Sequence, residues 1–180
     1  MFESALLLIL SFGTNTQSLS SLFSPSISVG LGESLNRPSL LAQNIVPKDQ
    51  IPPVVEKGFA FEMLGCNVLQ EFSRKLRCSF YVKNLQSSRR KLAIRTYDSY
   101  RGNTIFLDKD GQQVTASSAT LGSSTSLRSA EAYLYPDTIV RLDIIFNGAP
   151  KQGTGLQLVE LNLYAYGNGG GSFVVPFRIH

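Results

Sequence analysis

A chain of 180 residues that is 43% hydrophobic and 17% charged has the size of one domain plus a tail and the composition of a globular protein. Two cysteines and a single histidine, His180, are too few soft ligands for a zinc site. The net charge of +4 is unevenly placed: residues 1–56 carry Arg37 and Lys48 against Glu3, Glu33, Asp49 and Glu56, so the positive excess lies in residues 57–180, which bears on partners and not on fold.

In chain order, the first feature is the apolar run Ala5-Leu6-Leu7-Leu8-Ile9-Leu10, followed by Ser11 and Phe12. It has the length of a signal-peptide core and falls far short of the roughly 20 residues that cross a bilayer. Glu3 and the lack of Lys or Arg ahead of the run depart from a basic n-region, and the small-residue cleavage candidate, Ala42, makes a long leader. The run points to export and to a periplasmic or secreted location; a short apolar helix packed on the domain is the other reading. The stretch 17–28 alone holds six serines, and Pro38, Pro47, Pro52 and Pro53 follow. Such a segment buries too little apolar area to offset its ordering entropy. Residues 1–56 therefore read as leader and low-complexity tail or linker, and 57–180 as the folded domain.

From Lys57 onward the hydrophobic period is two. Phe59, Phe61 and Met63 alternate with Ala60, Glu62 and Leu64, until Gly65 interrupts as at a bulge. Cys78, Phe80 and Val82 alternate with Arg77, Ser79, Tyr81 and Lys83; Leu92, Ile94 and Thr96 with Lys91, Ala93, Arg95 and Tyr97. The same pattern returns at 140–146, 160–163 and 173–179. Turn residues fall between: Gln86-Ser87-Ser88, Asp108-Lys109-Asp110-Gly111, Tyr135-Pro136-Asp137 and Asn168-Gly169-Gly170-Gly171. Short alternating segments separated by such turns are half-buried strands. About seven to nine strands with no helix predict an all-β, antiparallel, immunoglobulin-like β-sandwich. Pro176 cannot donate to a ladder, which places the last strand at an edge or Pro176 at a bulge.

Cys66 and Cys78 read as one disulfide if the chain is exported; closing so short a loop is worth about 2–3 kcal/mol on the chain-entropy model. Two free buried thiols are the reading if it is not. The spacing is far narrower than in antibody domains and the chain has no Trp, so any immunoglobulin likeness is one of architecture.

Several segments together carry a resemblance: Phe61-Glu62-Met63-Leu64-Gly65-Cys66, Leu76 to Asn84, Leu107 to Gln112, Leu134-Tyr135-Pro136, Leu142 to Phe146 and Phe177-Arg178-Ile179. Over roughly residues 59–179 the chain resembles uncharacterised bacterial extracytoplasmic β-sandwich modules, similar in outline to telokin-like domains. The resemblance implies a fold and a non-cytosolic location. It brings no catalytic or ligand-binding residues with it.

The chemistry on offer is limited. His180 has no evident partner for nucleophilic catalysis, and no spacing singles out a pair among Asp98, Asp108, Asp110 and Asp143. Asp108-x-Asp110-Gly111 opens like a calcium loop, but the twelfth position is Ala119 rather than Glu, so a turn is the better reading. No cofactor or metal is expected. The strongest feature is basic: Arg74, Lys75, Arg77, Lys83, Arg89, Arg90, Lys91, Arg95 and Arg101 stand against Glu71 and Asp98. Arg77, Lys83, Lys91 and Arg95 share the outward parity of their strands. Were those strands neighbours, the cations would merge into one face with Tyr81 and Tyr97 interleaved. Such a face attracts acidic polymers, acidic proteins or anionic lipid, and for an exported chain nucleic acid fits less well. A solvated, solubilising sheet surface is the alternative. The functional expectation is a non-catalytic extracytoplasmic binding or interaction module; the competing class is a small enzyme or accessory subunit whose site is shared with another chain.

Overall fold

The computed structural model describes residues 51–70, 74–97, 102–151 and 154–179. Residues 1–50, most of the segment read as leader and tail, together with Glu71, Asp98, Arg101 and His180, lie outside the described residues. The described chain is all-β and antiparallel, with eleven strands. They are β1 (Val54–Glu56), β2 (Phe59–Gln70), β3 (Lys75–Asn84), β4 (Arg90–Arg95), β5 (Ile105–Asp108), β6 (Gln113–Leu121), β7 (Ser124–Ser126), β8 (Ser129–Leu134), β9 (Ile139–Phe146), β10 (Leu156–Ala165) and β11 (Gly171–Arg178). Eleven exceeds the seven to nine expected from alternation. β1 and β7 have three residues each, too few to display a period, and β1 occupies the last three residues of the segment read as tail. Among the described residues no helix is long and apolar enough to cross a membrane.

One group of strands runs β1-β2-β3-β9-β6-β7. In the other, β10 pairs with β11 along one edge and with β5 and then β4 along the opposite edge, and β8 pairs with β4. β6 belongs to both. Its first residues pair with β5 and its later ones with β9, with a register irregularity between Ala116 and Ser118 where it passes from one group to the other. The inward faces of the two groups meet through phenylalanines: Phe80 and Phe177 have ring centroids 5.1 Å apart, Phe106 and Phe146 5.0 Å, Phe61 and Phe173 6.2 Å. These residues and the Leu, Ile and Val of the same parity form one core. Every side chain named inward on β3, on β4 and just past it (Cys78, Phe80, Val82, Leu92, Ile94 and Thr96) is buried.

The bulge expected at Gly65 is present, as a register shift between Met63 and Gly65, and Gly65 has φ of 133°, a value glycine reaches without strain. It has a topological effect. Ahead of it the odd residues Phe59, Phe61 and Met63 point inward; after it the even residue Cys66 does. The extra residue thus turns Cys66 to the core side, directly opposite Cys78, with Cα atoms 4.1 Å apart and the sulfurs bonded. β11 pairs only with β10 among the described strands, and Pro176 is exposed on its outer face, as expected of an edge strand.

Candidate functional site

The basic residues do not form one face. β3 pairs with β2 and β9, whereas β4 pairs with β10 and β8, so two strands consecutive in sequence lie in different sheets. The chain crosses between them at residues 85–89. Asn84 directs the crossing: it is fully buried, its Nδ2 donates to the carbonyls of Ser88 (2.8 Å) and Leu134 (3.1 Å), and its Oδ1 accepts from the Gln86 amide at 3.1 Å.

On the outer face of β3 and β9, several charges are paired. Lys83 lies 3.0 Å from Asp137. Arg141 binds Asp143, which also accepts from Ser79 at 2.5 Å. Arg77 is exposed and Tyr81 half-buried on this face. Arg74, in the turn before β3, donates to the Ala149 carbonyl at 3.3 Å, and Lys75 next to it is exposed.

Arg90 departs from the sequence reading most clearly. It shares the inward parity of Leu92 and Ile94 and is 7% exposed. Its guanidinium lies 4.5 Å above the Phe59 ring and donates to the Lys57 carbonyl. It closes the end of the core and does not join the outward-facing cations of β4.

The remaining cations meet tyrosines on the outer face of β8, β4 and β10. Lys91 stands opposite Tyr133 in the ladder; Ala93 opposite Glu131 on one side and Tyr164 on the other; Arg95 opposite Ser129 and Asn162. The Tyr166 amide donates to the Lys91 carbonyl at 3.0 Å, which extends the row past the end of β10. Cations and rings then stack: Lys91 Nζ lies 4.5 Å from the Tyr166 ring centre, the Arg95 guanidinium 4.8 Å from that of Tyr164, and the Arg89 guanidinium 4.4 Å from Tyr133 and 5.8 Å from Tyr135. Tyr164 and Tyr166 meet edge to face at 4.8 Å. Arg95 also donates to Ser172 Oγ of β11 at 3.1 Å. Each stack holds a cation over a ring face, where the quadrupole attracts it.

One carboxylate sits among these cations. Glu131 forms an ion pair with Lys91 and accepts from the Tyr166 hydroxyl at 2.7 Å. The hydrogen bonds from Lys91 and then Tyr166 hold its carboxyl below the usual range. The same contact raises Lys91, and Glu131 raises the Tyr166 phenol, with burial adding to it. A hydrogen bond to Tyr135 raises Arg89 in the same sense. Tyr133 and Tyr135 are each 56% exposed, and Tyr97, just beyond β4, is 58% exposed, so this face offers aromatic surface as well as charge.

Alongside Tyr166 the face opens into a cleft of about 270 Å³, lined by Gln86, Ser88, Arg89, Arg90, Tyr166, Gly167 and Asn168. Asp108, Asp110 and Asp143 do not line it, and Asp98 lies outside the described residues. Asp108 is buried and its Oδ1 accepts from the amides of Asp110 (3.0 Å) and Gln112 (2.8 Å), the arrangement of a turn. Asp143 lies in the other sheet. No group of three or more His, Cys, Asp or Glu among the described residues is placed to hold a metal ion.

Sequence reasoning passed over Tyr133, Tyr135, Tyr164, Tyr166 and Glu131. A signal for the tyrosines was available: Tyr133-Leu134-Tyr135 and Tyr164-Ala165-Tyr166 each repeat tyrosine at the two-residue spacing that puts both rings on one side of an extended chain. Comparison with protein-family models finds no match, and comparison with curated proteins finds none either.

Proposed function

We propose that this chain is a non-catalytic, extracytoplasmic binding module, an immunoglobulin-like β-sandwich of the kind its sequence resembles, that holds an anionic partner on the outer face of β8, β4 and β10. The observation that carries the reading is the set of cation–tyrosine stacks made by Arg89, Lys91 and Arg95. Arg89, Lys91 and Arg95 outnumber Glu131 at the Tyr166 end of the face, while Glu160 has the outward parity toward the other end of β10, so positive charge gathers at the Tyr166 end and attracts anions there. The rings offer flat, half-exposed surfaces with polar tips, suited to a partner that is part apolar and part wet. An arginine already stacked on a ring loses little freedom when it forms a hydrogen bond. The Cys66–Cys78 bond fits an oxidising compartment. An acidic polysaccharide matches both the charge and the aromatic surface.

Retention on heparin-agarose tests this. The wild type elutes at higher salt than a variant carrying Arg89→Ala, Lys91→Ala and Arg95→Ala. A variant with Arg77→Ala and Lys83→Ala, on the opposite sheet, elutes nearer the wild type. Equal loss in both variants refutes a defined face, because it is the signature of net charge alone.

A further inference from the structure

The cleft beside Tyr166 has a chemistry of its own. Its two walls are the β3–β4 turn, which supplies Gln86, Ser88 and Arg89, and the start of the β10–β11 turn, which supplies Tyr166, Gly167 and Asn168. The first wall is held in place: buried Asn84 binds the Gln86 amide and the Ser88 carbonyl, the Leu85 amide donates to the Gly58 carbonyl at 2.9 Å, and Gln86 packs so closely on Gly58 that a Cβ there would lie 2.7 Å from Gln86 Nε2. The second wall is tied to β4 by the Tyr166–Lys91 backbone bond and closed on itself by the Gly170 amide, which donates to the Gly167 carbonyl at 3.0 Å. Gly167 has φ of +95° and open space where a side chain would stand, so the turn presents bare backbone at that point.

The lining combines two carboxamides, a hydroxyl, a phenol with its ring, and the Arg89 guanidinium, whose orientation is set by Tyr133 and Tyr135. Arg90, with its guanidinium over Phe59 and bonded to Lys57, forms the inner boundary. Amides and hydroxyls that both donate and accept match a ring bearing several hydroxyl groups. An aromatic ring takes that ring's apolar face. A planar guanidinium pairs two N–H groups with a carboxylate. The cleft is half open, and its volume of about 270 Å³, just under the usual range of about 300–1,000 Å³ for drug-sized ligands, has room for one sugar ring. Tyr166 belongs to both the cleft and the cation–tyrosine face, so a polymer seated at its end in the cleft continues over Tyr164 and Arg95.

We infer that the cleft is an end-binding subsite for one carboxylate-bearing sugar residue of the uronic acid type, with Arg89 on the carboxylate, Gln86, Ser88 and Asn168 on the hydroxyls and Tyr166 against the ring face. This inference rests on the reading of the β8–β4–β10 face as the site of an acidic partner. The test is titration of the full chain with trigalacturonic acid, monomeric galacturonic acid, maltotriose and inorganic phosphate, followed by calorimetry and by amide shifts at Ser88, Gly167 and Asn168. The trimer binds, the monomer displaces it, and maltotriose binds about tenfold more weakly or not at all. A Gln86→Ala, Asn168→Ala variant, altered only at exposed side chains, loses about tenfold or more in monomer affinity, whereas Arg95→Ala weakens the trimer and leaves the monomer within a few-fold. Trimer binding that depends on Arg95 and is untouched by the cleft variant overturns the subsite and leaves the face standing. Shifts at the cleft with phosphate but not with the monomer overturn the sugar assignment. Failure of heparin and of every acidic sugar to bind overturns both.

Discussion

Asn84 is the residue whose replacement reports most directly on how the site is built. Its side chain is 0% exposed and makes three hydrogen bonds, to Ser88, Leu134 and Gln86. Each is worth about 0.5–1.5 kcal/mol net, and a buried group left unpaired costs about 1–3 kcal/mol. Gln86 and Ser88 are exposed, so water replaces the lost amide there. The bond to the Leu134 carbonyl is buried and is not replaced. Asn84→Ala is therefore expected to destabilise the fold by about 3 kcal/mol. Asn84→Asp keeps the shape but turns a carboxylate oxygen toward two carbonyls. Its folded-state pKa is raised, so above about pH 3.9 the folded chain holds a proton that the unfolded chain has lost. Stability then falls as pH rises, at up to about 1.4 kcal/mol per pH unit, until the folded pKa is passed. Urea unfolding followed by circular dichroism at pH 4.5 and pH 7 measures both variants. A cost under 1 kcal/mol for Asn84→Ala, or a pH-independent Asn84→Asp, refutes the assignment of the crossing to this side chain.

Replacing Cys66 and Cys78 by Ala removes a bond that spans 12 residues and is expected to cost about 3 kcal/mol; thermal melts with and without reductant check it, and the double variant should lose all sensitivity to reductant. Phe80→Ala and Phe177→Ala each open the contact between the two sheets and should cost about 3–5 kcal/mol, with a coupling of about 0.5–1.5 kcal/mol in the double-mutant cycle. Glu131 has a depressed folded pKa, so its contribution is complete above its ordinary value of 4.5 and is lost as pH falls through the folded value. Lys91 and Tyr166 are raised, so theirs is complete below about pH 10 and lost above it. Melting curves of Glu131→Gln should show a flatter acid limb than the wild type. The difference should be a few degrees at most, because the Lys91 and Glu131 side chains are 30% and 34% exposed and water screens the pair.

Much of the fold was legible because inward and outward sides follow from a two-residue period. Phe59 to Met63, Cys78 to Val82 and Phe173 to Phe177 all face the core as their alternation requires, and Gly65 and Pro176 marked the bulge and the edge. Alternation does not say which sheet a strand joins. β3 and β4 were read as potential neighbours, and their separation depends on the buried bonds of Asn84, which no local period encodes. That separation divided the basic set between two surfaces. The burial of Arg90 was implicit in its sharing parity with Leu92 and Ile94. The tyrosine face was half visible in its paired spacing, but its partnership with Lys91 and Arg95 needs the β4–β10 register, a long-range fact.

The bulge at Gly65 also bears on how the chain finds its register. If β2 and β3 pair without the extra residue, Cys66 falls on the face opposite Cys78, and the two thiols are held apart by the thickness of the hairpin. Bringing them together while Phe59, Phe61 and Met63 keep their native partners on the core side requires the bulge. The disulfide therefore fastens the hairpin on the far side of the bulge from Phe59, Phe61 and Met63, so one covalent bond and one apolar row together leave the extra residue a single place to sit.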